Sequence, residues 1–193
     1  PAFRAELSAT TRHVSEVTML DVEFGFIKDH TEVLNMLQDM IYEVLTRASK
    51  ELAAELKSWN ASEITLKPEF PRYSMSEIHE MYQKATKIDV SSEVDLTPDE
   101  ERWICEYAKK KDGCEAVFAT GLPVTKMKFY HMDNGDGTAR SADLLFRGIE
   151  IATVPQRDHR YEMLVEQMKK AGIDPSYPGF SYYPQAFNHR LPS

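Results

Sequence analysis

Cysteine is nearly absent: Cys105 and Cys114 are the only two among 193 residues, and they form no CxxC pair. That number and spacing support neither a disulfide framework nor a zinc site, and fit idle or buried thiols in a reducing cytosol. Long hydrophobic runs are missing too. No apolar stretch approaches the roughly 20 residues of a membrane-spanning helix, and nothing near Pro1 resembles a signal peptide. A cytoplasmic protein with no membrane partner is expected. His30, His79, His131 and His189 have no ligand-like spacing, and the chain has no glycine-rich phosphate loop and no nucleophile elbow. Positive charge is the minority sign, 23 Lys and Arg against 31 Asp and Glu, a formal net charge of -8. Such a surface argues against broad nucleic-acid binding and means that an anionic ligand needs a dedicated set of arginines. What remains is an ordinary globular composition, 42% apolar and 28% charged, of a length that suits one domain with at most a small insertion. The chain begins at proline, so it is expected to be cut from something longer or processed.

Periodicity gives the elements. Residues 1–7 and 17–27 read as strands. In the second, Leu20, Val22, Phe24 and Phe26 share a prospective core face, with Met19, Asp21 and Glu23 opposite. Residues 30–57 carry the strongest helical stripe, from Val33 and Leu34 to Leu56, with Asp29 and Glu32 as a capping pair. Ser74 with Glu77, and Thr97-Pro98 with Glu100, open two further helices, ending near Lys87 and Lys111. The whole of 73–111 reads as a peripheral helical insertion. Residues 115–122 read as a strand, Asn134-Gly135-Asp136-Gly137 as a turn, and 143–153 as a hairpin about Arg147-Gly148. Residues 158–171 form a helix capped by Asp158 and stopped by Gly172. The tail, 173–193, is rich in proline and aromatics. The fold class expected is α+β: a mixed, mainly antiparallel sheet with helices packed on it.

Three groups of residues could carry chemistry. Arg4 and Glu6 share a strand face, followed by Arg12, His13, Glu16, Asp21 and Glu23. Alone, Arg4 and Glu6 are a surface ion pair worth little; as a nucleotide site, Arg4 would clamp a phosphate and Glu6 would accept from a base amino group. In the hairpin, pairing Leu145 with Glu150 and Asp143 with Ala152 puts Asp143 and Glu150 on one face, roughly 7 Å apart at the backbone. They are either two solvated acids or the one or two carboxylates that magnesium takes beside substrate phosphates. Arg157, just ahead of a helix, could cap it, pair with Asp158, or bind a ligand carboxylate. His159 and Arg160 read as a solvated first turn.

Taken in order, these residues resemble a family. Phe3-Arg4-Ala5-Glu6, then Thr11-Arg12-His13, Glu16 and Leu20-Asp21-Val22-Glu23, look like the second signature motif of aspartyl- and asparaginyl-tRNA synthetases. Phe70-Pro71-Arg72, the strand with Pro123 and Phe129-Tyr130, Phe146-Arg147-Gly148-Ile149-Glu150, Gln156-Arg157 and His159-Arg160-Tyr161 follow as in the same catalytic domain. The short link between the signature regions is similar to that of archaeal and eukaryotic enzymes. The resemblance implies a partial class II catalytic core over 1–193. Its reaction uses ATP and Mg2+ to activate aspartate as an adenylate and passes the acyl group to the tRNA 3′ end. It implies that Arg4 holds the α-phosphate and the substrate carboxylate, that Glu6 reads adenine, and that Arg12 with His13 contacts the outer phosphates. Asp143 and Glu150 would bind magnesium, and Arg157 the aspartate side chain, with Asp21 ordering that pocket. The loop Leu7 to Thr11 would face the tRNA acceptor end. Asp21 with Gln156-Arg157 points to aspartate ahead of asparagine.

The chain departs from the pattern at Val17, where the family usually has an aromatic, at Val154-Pro155, where it has small residues, and at Ala142 and Arg190. The family's dimer motif and its glycine-rich segment with an ATP-binding arginine are not within 1–193. The chain alone is therefore expected to be inactive, within a parent that is a homodimer. Two other classes stay open. One is a diverged paralogue making an adenylate or amide without tRNA; the other is a non-catalytic module that binds nucleotide or protein.

Overall fold

The computed structural model describes residues 1–3, 5, 15–61 and 63–189. Arg4, Glu6, Arg12, His13 and Arg190 lie outside the described residues. The organising element is a four-stranded sheet in the order β3-β4-β5-β6, made of Arg72–Ser74, Ala116–Thr120, Ser141–Phe146 and Ile149–Pro155. β3 runs parallel to β4, and the other pairings are antiparallel, as expected for a mainly antiparallel sheet.

Both faces of this sheet are covered. Side chains alternate along a strand, so β4 sends Ala116 and Phe118 one way and Val117 and Ala119 the other, all buried. The first face meets α1 (Thr31–Glu51), whose Leu34 joins Phe70, Phe118, Ala142, Leu144 and Val154 in one core cluster. Phe70 is fixed twice, its ring 6.1 Å from that of Phe118 and its N–H donating to the buried Gln38 amide oxygen at 2.9 Å. The second face meets α3 (Met75–Thr86) and α4 (Pro98–Asp112) through Ile78, Ile104, Cys105 and Ala108, packed on Val117, Ala119 and Leu145. Ile78, Ile104 and Ala108 have no exposed surface. The segment 73–111, expected as a peripheral insertion, supplies two helices whose apolar stripes pack on this face and on each other.

Both expected capping boxes form. The Ser74 and Thr97 hydroxyls accept from the N–H of Glu77 and Glu100, and each glutamate accepts in return from the cap residue's N–H. Glu100 also binds His79 Nδ1 at 2.6 Å, joining the start of α4 to α3. Helix 30–57 is observed in two pieces, α1 and α2 (Ala53–Ser58), broken at Leu52.

The second N-terminal strand, expected over 17–27, is shorter than that reading. β1 (Ala2–Phe3) and β2 (Glu16–Val17) make a two-rung antiparallel pair. Residues 18–28 have no strand structure, and Leu20 and Phe26, read as core, are 78% and 91% exposed. Alternation marks a face, but a strand also needs a partner for its N–H and C=O groups and a layer over that face, and two strands alone are marginal. Neither is supplied by the described residues. At the other end, the tail forms α6 (Tyr182–Asn188) after α5 (Tyr161–Lys170), with Phe180 and Tyr183 packed edge-on against Phe129.

Candidate active site

The hairpin β5–β6 carries the two carboxylates, and its turn explains its rigidity. Arg147 and Gly148 both have positive φ, 52° and 78°, the pattern of a two-residue turn matched to strand twist. Arg147 is held there by Glu115, itself 3% exposed, through a 2.9 Å ion pair. Glu115 also takes Lys109 at 2.7 Å and the Thr65 N–H at 2.8 Å. Burial works against the Glu115 anion, yet these donors together hold its carboxyl below the ordinary range.

Leu145 pairs with Glu150 and Phe146 with Ile149, as the turn requires. Beyond them the register shifts. A bulge puts Ala152 opposite Leu144 and Thr153 opposite Asp143, where simple alternation had put Ala152 opposite Asp143. The extra residue on β6 is what lets Glu150 and Thr153, an odd number of positions apart, face the same way. Asp143, Glu150 and Thr153 therefore share the face that Leu145 shows to α4. Burial pushes the Asp143 carboxyl up to about 6; the Thr153 hydroxyl opposes this, and the charges of Asp95 and Glu101 add to it. Neither Asp95 nor Glu101 is among the candidate residues of the sequence. No local pattern places them near Asp143; the packing of α4 does.

That environment suits a hard cation. Oxygen donors and crowded negative charge fit magnesium, and among the described residues no three acidic, His or Cys side chains converge into a cage. Two carboxylates with the remaining positions left to phosphate and water is how magnesium is commonly held.

Arg157 lies two residues past the end of β6. Its backbone bridges to His131, its guanidinium sits 5.9 Å from the Tyr130 ring, and its Nη2 donates to Glu23 Oε1 at 2.5 Å. The partner is Glu23, while Asp21, given the ordering role in the sequence, is exposed. Both ends of the Arg157–Glu23 pair are substantially exposed, at 45% and 69%, so it is a contact that an incoming carboxylate can replace at small cost. His131, read as unremarkable, is part of this corner. Its Nδ1 is buried without a hydrogen-bond partner among the described residues. Burial, then Arg157 and Lys128, push its pKa down to about 4. Arg160, expected on a solvated turn, is exposed and also grips the fully buried Asp158 through Nε and Nη2 at 2.9 and 2.7 Å. Asp158 also takes the Arg160 N–H, so α5 begins at Tyr161 and not at 158.

Of the Val154-Pro155 departure, Val154 falls on the other side of the sheet, while Pro155 pairs with Ser141 on the Asp143 face. Val154 pairs with Ala142 and packs in the core cluster under α1, away from the Asp143 face. Pro155 ends the edge strand β6, a position where a missing N–H is tolerated.

A family model described as tRNA synthetases class II (D, K and N) matches residues 1–193. The chain is 35% identical over 192 residues to an aspartate–tRNA(Asp/Asn) ligase of Thermus thermophilus, and 33% identical over 200 residues to an aspartate–tRNA(Asp) ligase of Pyrococcus furiosus. Both matches cover 100% of this chain and 44% of the relative, so the chain spans less than half the length of these relatives. Among solved structures it is similar to an aspartyl tRNA synthetase from Entamoeba histolytica, with a TM-score of 0.86 and 27% identity over 96% of this chain and 39% of that one.

Proposed function

The chain belongs to the class II tRNA synthetases of the D, K and N type, and from that premise we propose that it is part of the catalytic domain of an aspartate–tRNA ligase. In this reading the aspartate α-carboxylate attacks the α-phosphate of ATP, giving aspartyl-adenylate and pyrophosphate. The aspartyl group then passes to the 3′ end of the tRNA acceptor. The parent acts as a homodimer in the cytoplasm.

The chemistry asks for positioning and charge neutralisation more than for proton transfer. Arg4 holds the α-phosphate and the substrate carboxylate, Glu6 accepts from the adenine amino group, and Arg12 with His13 contacts the outer phosphates; these roles come from the resemblance. Asp143 and Glu150 hold magnesium from one hairpin face. Magnesium bound there offsets the negative charge of the triphosphate. Arg157 takes the side-chain carboxylate of aspartate by exchanging it for Glu23, and Asp21 helps to order that pocket.

The observation that carries this reading is the hairpin: it gathers Asp143 and Glu150 on one face and delivers Arg157 two residues later, in the order of the family motif. The names of the two relatives favour aspartate. The test is amino-acid-dependent ATP–pyrophosphate exchange by the longest natural chain containing this segment, with aspartate and asparagine offered separately. Exchange with aspartate is expected. Exchange with asparagine alone would replace the substrate and keep the reaction; exchange with neither, from a folded protein, would overturn the ligase reading.

A further inference from the structure

We propose that Asn134 is a modification site, where the folded loop itself promotes succinimide formation and deamidation. Asn134, Gly135 and Asp136 are exposed at the tip of the turn. The loop is closed by the isolated bridge between Asp133 and Ala139, and the Asn134 N–H donates to the Thr138 carbonyl at 3.0 Å. Gly135 has φ 84°, and nothing lies within 4 Å of where its Cβ would stand. With no side chain at that position, its backbone nitrogen is open to react.

The reaction needs a proton taken from the Gly135 nitrogen and charge stabilised on the Asn134 side-chain oxygen. The loop supplies both. The Gly135 N–H donates to Asp133 Oδ1 at 2.6 Å, within the reach of a general base. Asn134 Oδ1 accepts from Arg140 Nε at 3.2 Å, so a cation stands where negative charge grows as the nitrogen attacks. Asn134 Nδ2 donates to Thr138 Oγ1 at 3.0 Å, and that hydroxyl donates on to Asp136; these bonds fix which way the amide faces. The Gly135 nitrogen bonds to Asn134 Cγ, the Cγ–Nδ2 bond breaks, and ammonia leaves, the proton it gains from solvent replacing the one Gly135 gave up. Water then opens the cyclic imide at either carbonyl, giving aspartate or isoaspartate. The aspartate product sets a carboxylate against Arg140, whose guanidinium here donates to the neutral amide oxygens of Asn134 and Gln156. The isoaspartate product adds a main-chain carbon just inside the Asp133–Ala139 bridge.

The test uses the longest natural chain containing this segment, incubated folded in neutral buffer and, in parallel, unfolded in guanidinium chloride, where the local sequence acts alone. Peptide mass spectrometry reads the mass gained when NH2 is replaced by OH at position 134, and labelling with an isoaspartyl methyltransferase reads the isoaspartate. The folded chain should react about 10-fold faster than the unfolded one, a modest share of what a placed general base supplies. Asp133→Ser keeps an acceptor and removes the base; Arg140→Gln removes the cation. Each should slow the folded chain several-fold and leave the unfolded rate nearly unchanged. A folded rate equal to or below the unfolded rate overturns the proposal, and so does a fast folded rate that neither substitution slows. The comparison of folded with unfolded parent needs no variant, so it holds even where a substitution loosens the loop. Neither readout depends on amino-acid activation, so the outcome is independent of the ligase reading.

Discussion

A methyl group at position 148 would sit 2.6 Å from Arg102 Cγ and 2.9 Å from Arg102 Cα. The second contact is with helix backbone, so no side-chain rotation relieves it. Alanine for Gly148 must therefore lift α4 from the hairpin or distort the turn. Two costs add. Holding a Cβ at φ 78° costs about 1–2 kcal/mol, and overpacking against an element that cannot yield costs about 1–3 kcal/mol. Together the loss is about 2–5 kcal/mol, near a 5–15 °C fall in Tm for a chain of this size. Gly135 is the internal control. Its φ is 84° but a Cβ there meets nothing within 4 Å, so Gly135→Ala should lose the backbone cost alone. The assay is urea denaturation followed by tryptophan fluorescence, since Trp103 on α4 stacks on Tyr107 and reports that helix. Equal losses in the two variants, or a loss at 148 under about 1 kcal/mol, would refute the claim that α4 is pressed onto the turn. The site is tied to this packing, because α4 brings Glu101 to Asp143.

Two further outcomes follow from buried charge. Glu115→Gln leaves Lys109, Arg147 and the Thr65 N–H with a weaker acceptor and should cost about 1–3 kcal/mol in denaturant titration. The Glu115 carboxyl is held below its ordinary value, so its contribution is present above the unfolded pKa near 4.5 and lost as pH falls through the folded one; Glu115→Gln should flatten that acid limb. His131 acts in a different window. Its folded pKa is about 4 against an ordinary 6.5, so the unfolded chain binds the extra proton. Stability should fall from pH 6.5 toward 4 with a slope of up to ~1.4 kcal/mol per pH unit. His131→Gln should remove that slope, which melts at half-unit pH steps would detect; an unchanged slope would show that the imidazole is not held neutral.

Much of the candidate site was written locally. Asp143 and Glu150 on one hairpin face follow from the Arg147-Gly148 turn and strand alternation, and both capping boxes follow from residue types at fixed spacing. Other features were not. The bulge that exchanges Ala152 for Thr153 leaves no mark in a hydrophobic pattern, since Ile151, Ala152 and Val154 fit either register. Glu23 as the partner of Arg157 joins residues 134 positions apart, and Glu101 looked like any acid in a first helical turn. Strand 17–27 shows the opposite error: its alternation is clear, yet a pattern cannot form a ladder without a neighbour.

The sequence by itself determined the capping boxes that open α3 and α4, the hairpin turn, the α+β class and the order of the motif residues, because these depend on interactions within about a turn of helix or across one tight loop. Only the tertiary structure decided which carboxylates lie near Asp143, that helices of 73–111 pack on the sheet, and that Val154 faces the core. Each of those depends on where two distant segments meet, and that is set by how the apolar faces of the helices and the sheet can be buried together.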